Sequence, residues 1–232
     1  MYITFILSKK NYTQFSNCPR NKYSFTIDQM IEAIIFDCFG VIIADALETL
    51  FQKLRSTHPE RVQEALDILA AGNRGMLERN VYRSQLASIF DLTFDEYQSY
   101  LTAGEIKDQQ VLDYAKELRA TYKTAILSNV GSGGLARRFN PGELEQSFDL
   151  IVVSGEIGYA KPEPQAYELT AQRLGVRLEA CVTVDDREEY CLGAQGLGMH
   201  AIQYTGFDAM KDALTALLRD DAGAAASRSG RL

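Results

Sequence analysis

The chain contains the stretch IIFDCFGVII at residues 34–43, in which an apolar run ends at Asp37 and resumes after Gly40. Short apolar runs beside turn residues are typical of fully buried strands in parallel sheets. A carboxylate at the end of such a strand is costly to bury without a partner, and ligands of open α/β sheets bind beyond the carboxyl ends of the strands. Asp37 is therefore a candidate ligand-binding residue. The alternative at this point is an aspartate that only ends the strand before a glycine turn.

The composition is that of an ordinary globular protein and disfavours two classes of partner. The chain has 232 residues, of which 46% are hydrophobic and 24% charged, enough for one domain with a large insertion or two small domains. The net charge of −7 gives a nucleic-acid partner no electrostatic support. The apolar stretches are shorter than the roughly 18 residues that a membrane span needs. We expect a monomer or homodimer with neither kind of partner.

The cysteines and histidines show no metal or catalytic motif of their own. Cys18, Cys38, Cys181 and Cys191 lack metal-binding spacing, so we interpret them as reduced residues of a cytoplasmic protein. The 2 histidines are far apart in the sequence, which argues against a histidine metal site or a Ser-His triad.

Local patterns divide the chain into an α/β core, a helical insertion and two terminal segments. Residues 30–44 and 108–219 show apolar strands and helices in alternation, which predicts the core domain. Residues 45–107 show helical spacing without a strand pattern, which predicts a small all-helical cap. Residues 1–29 lack periodicity, so we expect a poorly ordered extension or a misassigned start. Residues 220–232 are rich in Ala, Ser, Gly and Arg, and we expect a disordered tail.

The core pattern predicts a Rossmann-like, doubly wound parallel sheet with right-handed crossovers. After the first strand, the expected strands are Lys123–Leu127, Phe148–Val153, Ala180–Val184 and Met199–Gln203. The expected helices are Gln109–Ala120, Gly133–Phe139, Gly142–Gln146, Glu163–Leu174, Glu188–Leu197 and Ala209–Leu218. Polar residues lie near the ends of these elements: Asp37, Ser128, Asn129, Lys161, Asp185 and Asp186. Because the carboxyl ends of parallel strands meet at one edge of a sheet, we expect these residues to converge.

The chemistry of this polar set favours a metal-assisted reaction on a phosphate. Asp37, Asp185 and Asp186 offer hard oxygen ligands, and a few carboxylates with water suit Mg²⁺. Ser128 and Lys161 are donors suited to a phosphate group. A carboxylate among donors and a divalent cation can act as a nucleophile and form an aspartyl-phosphate. The set therefore predicts Mg²⁺ and a small phosphorylated metabolite as ligands.

Four segments, in order, resemble the haloacid dehalogenase (HAD) superfamily, in particular its phosphatase-like members with a helical cap after the first strand. They are IFDCFGV at residues 35–41, ILSN at 126–129, AKPEPQAY at 160–167 and VDD at 184–186. Each motif alone is weak, but their order and their positions at strand ends make the set specific. The similarity covers roughly residues 30–204 and implies a Mg²⁺-dependent hydrolase.

The resemblance also implies a catalytic role for each matching residue. Asp37 corresponds to the nucleophile of the family, which also binds the metal. Ser128, followed by Asn129, corresponds to the phosphate-binding position. Lys161 corresponds to the lysine that bridges the nucleophile and the phosphate.

A metal site follows from the same resemblance. Asp37 would share the ion with Asp186, and Asp185 would complete the acidic pair of the last motif. The backbone carbonyl of Phe39 corresponds to a further ligand, at a position where the side chain is irrelevant to metal binding.

Phe39 is the departure from the family pattern. Most phosphatases of the family carry a second aspartate there, which protonates the leaving group and then activates water. General acid–base catalysis is typically worth about 10²- to 10⁴-fold in rate. Its loss leaves three options: a substrate with a good leaving group, such as an anomeric or acyl phosphate; a substitute residue or water; or a degenerate domain that binds phosphate ligands or a partner with little turnover. An aromatic residue here also resembles the 2-haloacid dehalogenases, although the acidic pair favours Mg²⁺ and phosphate.

The cap contains one stretch that we connect with substrate recognition. Residues 72–83 resemble the segment that family members present to the leaving group, and they include Arg74, Arg79 and Arg83. We take Arg79 as the candidate substrate-binding residue, with a solvated face of arginines as the alternative. The sequence as a whole predicts a phosphoric monoester hydrolase that acts on a small phosphate monoester such as a sugar phosphate.

Overall fold

The core is a single parallel sheet. A computed structural model describes residues 30–229, with side chains up to residue 219, so the expectation for residues 1–29 lies outside the described residues. Within the described part, the sheet has five strands: β1 Ala33–Phe36, β2 Lys123–Ser128, β3 Leu150–Val153, β4 Cys181–Asp185 and β5 His200–Gln203. They are parallel in the order β3-β2-β1-β4-β5, which confirms the doubly wound Rossmann-like core.

Helices fill the connections between these strands. After β1 come α1 Ala46–Thr57, a 3₁₀ turn Pro59–Arg61, α2 Val62–Asn73, α3 Arg79–Ile89 and α4 Phe94–Gly104. The core helices are α5 Gln109–Leu118, α6 Glu143–Ser147, α7 Ser154–Ile157, α8 Pro164–Leu174, α9 Glu188–Gln195 and α10 Phe207–Ser229.

β1 occupies the centre of the sheet, between β2 and β4, and all its side chains are buried. Successive side chains of a strand point to opposite faces. Ile34 and Phe36 join the buried cluster that includes α5 and α10, whereas Ala33 and Ile35 join the cluster that includes α8 and α9. The residue that follows β1 therefore lies in the middle of the carboxyl edge.

The helices α1 to α4 form the cap and have a buried cluster of their own, which includes Phe51, Leu86 and Tyr97. α4 begins with a capping box, in which Thr93 Oγ1 accepts from the Glu96 N–H and the Glu96 carboxylate accepts from the Thr93 N–H. The all-helical character expected for this region agrees with the structure. The domain boundaries at residues 45 and 107 stay a prediction.

Two expected features differ from the structure. The helix predicted over residues 133–139 is wrong: the segment is a series of turns, because Gly133 has a φ of +66° and ends any helical run there. The disordered tail predicted over residues 220–232 is wrong for residues 220–229, which continue α10 as helix. Alanine has the highest helix propensity, so an alanine-rich segment can continue a helix although its composition is also typical of disorder.

No helix within residues 30–229 is both long enough and apolar enough to cross a membrane. Cys38, Cys181 and Cys191 are buried free thiols, which agrees with their interpretation as reduced packing residues.

Candidate active site

Asp37 is the first residue after β1. Its backbone N–H donates to the Val184 carbonyl oxygen at 2.8 Å, which continues the ladder between β1 and β4. The residue is only 6% exposed, and its Oδ1 accepts a hydrogen bond from the Cys38 N–H at 2.7 Å. Oδ1 also contacts Lys161, whereas Oδ2 has no hydrogen-bond partner among the described residues. Asp37 is therefore held through one oxygen and keeps the other for a ligand.

Lys161 lies between two carboxylates at the base of the site. Its Nζ is 2.8 Å from Asp37 Oδ1 and 2.5 Å from Asp185 Oδ2. The Asn129 side chain holds the main chain of Lys161: Oδ1 accepts from the Lys161 N–H, and Nδ2 donates to the Lys161 carbonyl oxygen, both at 2.8 Å. Asn129 thus positions Lys161, a contact that the sequence did not predict. Its contact with substrate stays a prediction.

The aspartates form a compact acidic cluster. Oxygens of Asp37, Asp185 and Asp186 lie within 4.8 Å of one another. Lys161 fixes Asp185 on one side, and the Arg187 N–H donates to Asp185 Oδ1 at 3.0 Å on the other. Asp186 Oδ1 is buried and has no hydrogen-bond partner in the described part of the chain. A buried oxygen without a partner is unfavourable, and a hard cation bound there would relieve the cost.

Gly40 allows the chain after β1 to pass against this cluster. Its φ is +92°, a left-handed conformation that favours glycine. A Cβ at this position would overlap the Asp186 carboxyl group. A side chain at residue 40 would therefore displace Asp186, which explains why the stretch after Asp37 needs a glycine there.

Burial dominates the electrostatics of the acidic cluster. It raises the pKa of Asp37 above its usual value, although the adjacent Lys161 acts in the opposite direction. Burial and the neighbouring Asp185 raise the pKa of Asp186 to about 6. Burial alone would lower the pKa of Lys161, but the Asp37 and Asp185 carboxylates raise it above its usual value. Lys161 therefore stays protonated, and the ionised cluster carries more negative charge than one lysine neutralises.

Ser128 ends β2 and offers a free donor beside Asp37. Its hydroxyl group is buried and has no hydrogen-bond partner among the residues that the structure describes. Ser128 and Asp37 line the same cavity. A serine hydroxyl can donate one hydrogen bond, so this group is suited to an anionic oxygen of a ligand.

The cavity above Asp37 and Ser128 is here called the nucleophile cavity, because the sequence predicts Asp37 as a nucleophile. It has a volume of about 120 Å³. Its wall on the cap side includes Tyr82, Arg83 and Tyr97. A ligand at Asp37 would therefore contact both the core and the cap.

Phe39 lines the nucleophile cavity without any group that can transfer a proton. The Arg138 guanidinium carbon lies 4.8 Å from the centroid of the Phe39 ring. Arg138 in turn pairs with Glu105 through two contacts of 2.6 Å, so its charge is neutralised within the protein. The metal-ligand role of the Phe39 carbonyl oxygen stays a prediction.

Two arginines of the cap stretch lie at cavities. Arg83 lines both the nucleophile cavity and an adjoining cavity, whereas Arg79, the arginine expected to bind substrate, lines only the adjoining cavity, together with Gly131 and Ser132. The sequence did contain a signal for Arg83, because it lies four residues after Arg79 and so shares a helix face with it. The pairing of Arg138 with Glu105 had no local signal, since the two residues are 33 positions apart.

A family model described as haloacid dehalogenase-like hydrolase matches residues 31–198. The chain belongs to the haloacid dehalogenase-like hydrolases, which confirms the resemblance found in the sequence.

The curated relatives include a phosphatase and a 2-haloacid dehalogenase. A segment of 58 residues is 40% identical to Phosphatase MT3486 of Mycobacterium tuberculosis (strain CDC 1551 / Oshkosh), over 25% of this chain and 27% of that protein. A segment of 140 residues is 27% identical to (S)-2-haloacid dehalogenase 1 of Pseudomonas sp. (strain CBS-3), over 60% of this chain and 56% of that protein. The chain thus spans about half or less of the length of these relatives.

Solved structures agree on the fold. A HAD family enzyme from Bacteroides thetaiotaomicron, in complex with magnesium and inorganic phosphate, matches with a TM-score of 0.60 at 19% identity. The match covers 75% of this chain and 93% of that chain.

Proposed function

We propose that the chain is a Mg²⁺-dependent phosphatase that hydrolyses a small phosphate monoester, such as a sugar phosphate, through an aspartyl-phosphate on Asp37. The observation that carries the proposal is the arrangement of Asp37, which contacts Lys161 at 2.8 Å and keeps Oδ2 free beside the Ser128 hydroxyl group. The phosphatase relative and the magnesium–phosphate complex of a structural neighbour support the same class.

The acidic cluster fits magnesium. Asp37, Asp185 and Asp186 bring only oxygen donors together, and Asp186 Oδ1 is a buried oxygen without a partner in the described residues. These residues and the Phe39 carbonyl would hold the ion together with water. When bound, Mg²⁺ would offset the repulsion between the substrate phosphate and the Asp37 carboxylate.

Asp37 performs the covalent chemistry. Its Oδ2 attacks the phosphorus, the bond to the ester oxygen breaks, and the leaving alcohol takes a proton from water. A water molecule then attacks the phosphorus of the aspartyl-phosphate, releasing inorganic phosphate and restoring the carboxylate. The Lys161 ammonium group and the Ser128 hydroxyl group donate hydrogen bonds to the phosphoryl oxygens during both steps.

Phe39 narrows the range of good substrates. It cannot protonate the leaving oxygen, a contribution typically worth about 10²- to 10⁴-fold in rate. Substrates whose leaving group needs little protonation should therefore react fastest. We expect anomeric and acyl phosphates to exceed primary alkyl phosphates in kcat.

The test is phosphate release from the full chain with Mg²⁺ and with EDTA. The panel contains a hexose 1-phosphate, a hexose 6-phosphate, acetyl phosphate and p-nitrophenyl phosphate. Asp37→Asn removes the nucleophile with little change in size, and Asp113→Asn, at an exposed position of α5, is the matched control. Mg²⁺-dependent turnover that is lost only in Asp37→Asn supports the proposal, whereas turnover that survives this change contradicts it.

A second candidate, 2-haloacid dehalogenation, rests on the aromatic Phe39 and on the dehalogenase relative. In that reaction Asp37 would attack carbon and displace halide. Asp185 and Asp186 argue against it, since extra carboxylates next to the nucleophile are useful only where a cation offsets their charge. Chloride release from 2-chloropropionate without phosphate release would favour the dehalogenase, and binding of Mg²⁺ and phosphate without any turnover would favour a degenerate domain.

A further inference from the structure

Two arginines of the cap face the core without an acidic partner. Arg79 and Arg83 lie four residues apart on α3, so their side chains share one face of the helix. Arg83 is only 7% exposed, and its guanidinium group donates to the side-chain oxygen of Gln98, a neutral acceptor. Neither arginine forms an ion pair with any residue that the structure describes.

The core adds further positive charge near these arginines. Burial lowers the pKa of Arg79, and the positive charges of Arg83, Arg137 and Arg138 lower it further. Glu105 neutralises Arg138. Arg137 has no ion-pair partner among the described side chains. Arg79 therefore lies in a region of positive charge to which Arg83 contributes most among its neighbours.

Arg79 and Arg83 line a second cavity next to the nucleophile cavity. The adjoining cavity has a volume of about 230 Å³ and shares a wall of Tyr82, Arg83 and Val130 with the nucleophile cavity. Gly131 and Arg79 lie on its border. Because Arg83 belongs to both linings, a ligand group in the adjoining cavity would lie next to the site of a phosphate bound at Asp37.

Glu78, an acidic residue that lines the adjoining cavity, forms hydrogen bonds with the first turn of α3. Its Oε2 accepts from the N–H groups of Asn80 and Val81 at 3.1 and 3.2 Å. It thereby caps the start of α3, where a negative charge is favourable. Glu78 does not pair with Arg79 in the described part of the chain.

The arrangement is unfavourable for a cap that only has to fold. Like charges four residues apart destabilise a helix, and a buried guanidinium group with a neutral acceptor is poorly compensated. Arg138, by contrast, is neutralised by Glu105. An anionic group bound beside Arg79 and Arg83 would supply the missing charge.

We propose that the adjoining cavity is a subsite for a second anionic group of the substrate, a phosphate or a carboxylate, bound by Arg83 and Arg79. The inference rests on the proposed phosphatase function and narrows its substrate class to phosphate monoesters whose remote end is also anionic. Arginine binds both kinds of group through paired N–H donors. A phosphate monoester with a neutral remote end would leave both arginines unpaired.

Matched substrates test the subsite. 3-Phosphoglycerate against glycerol 3-phosphate probes a remote carboxylate, and fructose 1,6-bisphosphate against fructose 6-phosphate probes a remote phosphate. We expect kcat/KM of the wild type to be about 10-fold or more higher for the anionic member of at least one pair. Arg83→Met should lower that value about 10- to 100-fold, with a much smaller fall for the neutral member.

The control for charge removal is Arg55→Met at a half-exposed position of α1. This change should leave kcat/KM unchanged for both members of each substrate pair. An equal loss for both members of a pair in Arg83→Met would assign Arg83 a structural role and overturn the proposal. So would a wild type without preference in either pair. If Arg83→Met fails to fold, Arg79→Gln replaces it, with a smaller loss in the same direction.

Binding measurements separate failure of the subsite from failure of the phosphatase proposal. The proteins are the Asp37→Asn variant and the double variant Asp37→Asn/Arg83→Met. Calorimetry with Mg²⁺ measures the Kd of each for 3-phosphoglycerate, glycerol 3-phosphate, fructose 1,6-bisphosphate and fructose 6-phosphate. Tighter binding of an anionic member that is lost with Arg83 supports the subsite even if the wild type releases no phosphate. Equal Kd values in both pairs overturn the subsite even if phosphatase activity is established.

Discussion

Lys161→Met removes the positive charge between two carboxylates, and we expect it to destabilise the metal-free protein. The Lys161 ammonium group lies 2.8 Å from Asp37 and 2.5 Å from Asp185, with 1% of its side chain exposed. Removing one partner of a buried ion pair typically costs about 3 to 5 kcal/mol, because the other charge stays buried without compensation. At about 2 to 4 °C per kcal/mol for a domain of this size, Tm should fall by roughly 6 to 20 °C.

Magnesium should reverse part of this loss, since it would supply the missing positive charge to the acidic cluster. Thermal unfolding followed by circular dichroism, in EDTA and in Mg²⁺, compares the wild type, Lys161→Met and the control Lys53→Met at an exposed position of α1. We expect Mg²⁺ to raise Tm more in Lys161→Met than in the wild type. An unchanged Tm of Lys161→Met in EDTA would show that Lys161 does not stabilise the acidic cluster, and a Mg²⁺ effect no larger than that of the wild type would show that Mg²⁺ does not replace its charge.

Three further changes test single contacts. Ser128→Ala removes a hydroxyl group without a partner in the described residues. We expect kcat/KM for phosphate esters to fall about 10-fold or more, while the free energy of unfolding in urea stays equal or rises. Gly40→Ala sets a Cβ against Asp186 at a φ of +92°, so urea unfolding should show a loss of about 1 to 3 kcal/mol and calorimetry a weaker Mg²⁺ affinity. Glu105→Gln removes the negative charge and one of the two acceptors that contact Arg138 at 2.6 Å, and a loss of about 1 to 3 kcal/mol is expected, which an unchanged urea midpoint would contradict.

The sheet was predictable because its signals are local. Each strand is a short apolar run, and the alternation with helices leaves a parallel, doubly wound sheet as the natural arrangement. The helix predicted for residues 133–139 is absent from that segment. Leu135 and Phe139 have helical spacing, but the glycines before them favour turns. The extension of α10 to Ser229 was missed because composition was given more weight than helix propensity.

The convergence of the polar side chains at one edge of the sheet was predictable for a geometric reason, whereas their surroundings were not. Asp37, Ser128 and Asp185 lie at the ends of neighbouring parallel strands, and such ends must meet. The amide of Asn129 reaches Lys161 across 32 positions of the chain, so that contact exists only in the folded protein. The different positions of Arg79 and Arg83 likewise depend on how the cap docks on the core.

An aspartyl-phosphate on Asp37 can be detected by mass spectrometry of the wild-type protein, acid-quenched during turnover of acetyl phosphate with Mg²⁺. We expect a phosphoryl group on the peptide that contains Asp37, absent in EDTA and absent from Asp37→Asn under the same conditions. Phosphate release that proceeds in Asp37→Asn at the wild-type rate would contradict a nucleophilic role of Asp37, as would a phosphoryl group on another residue.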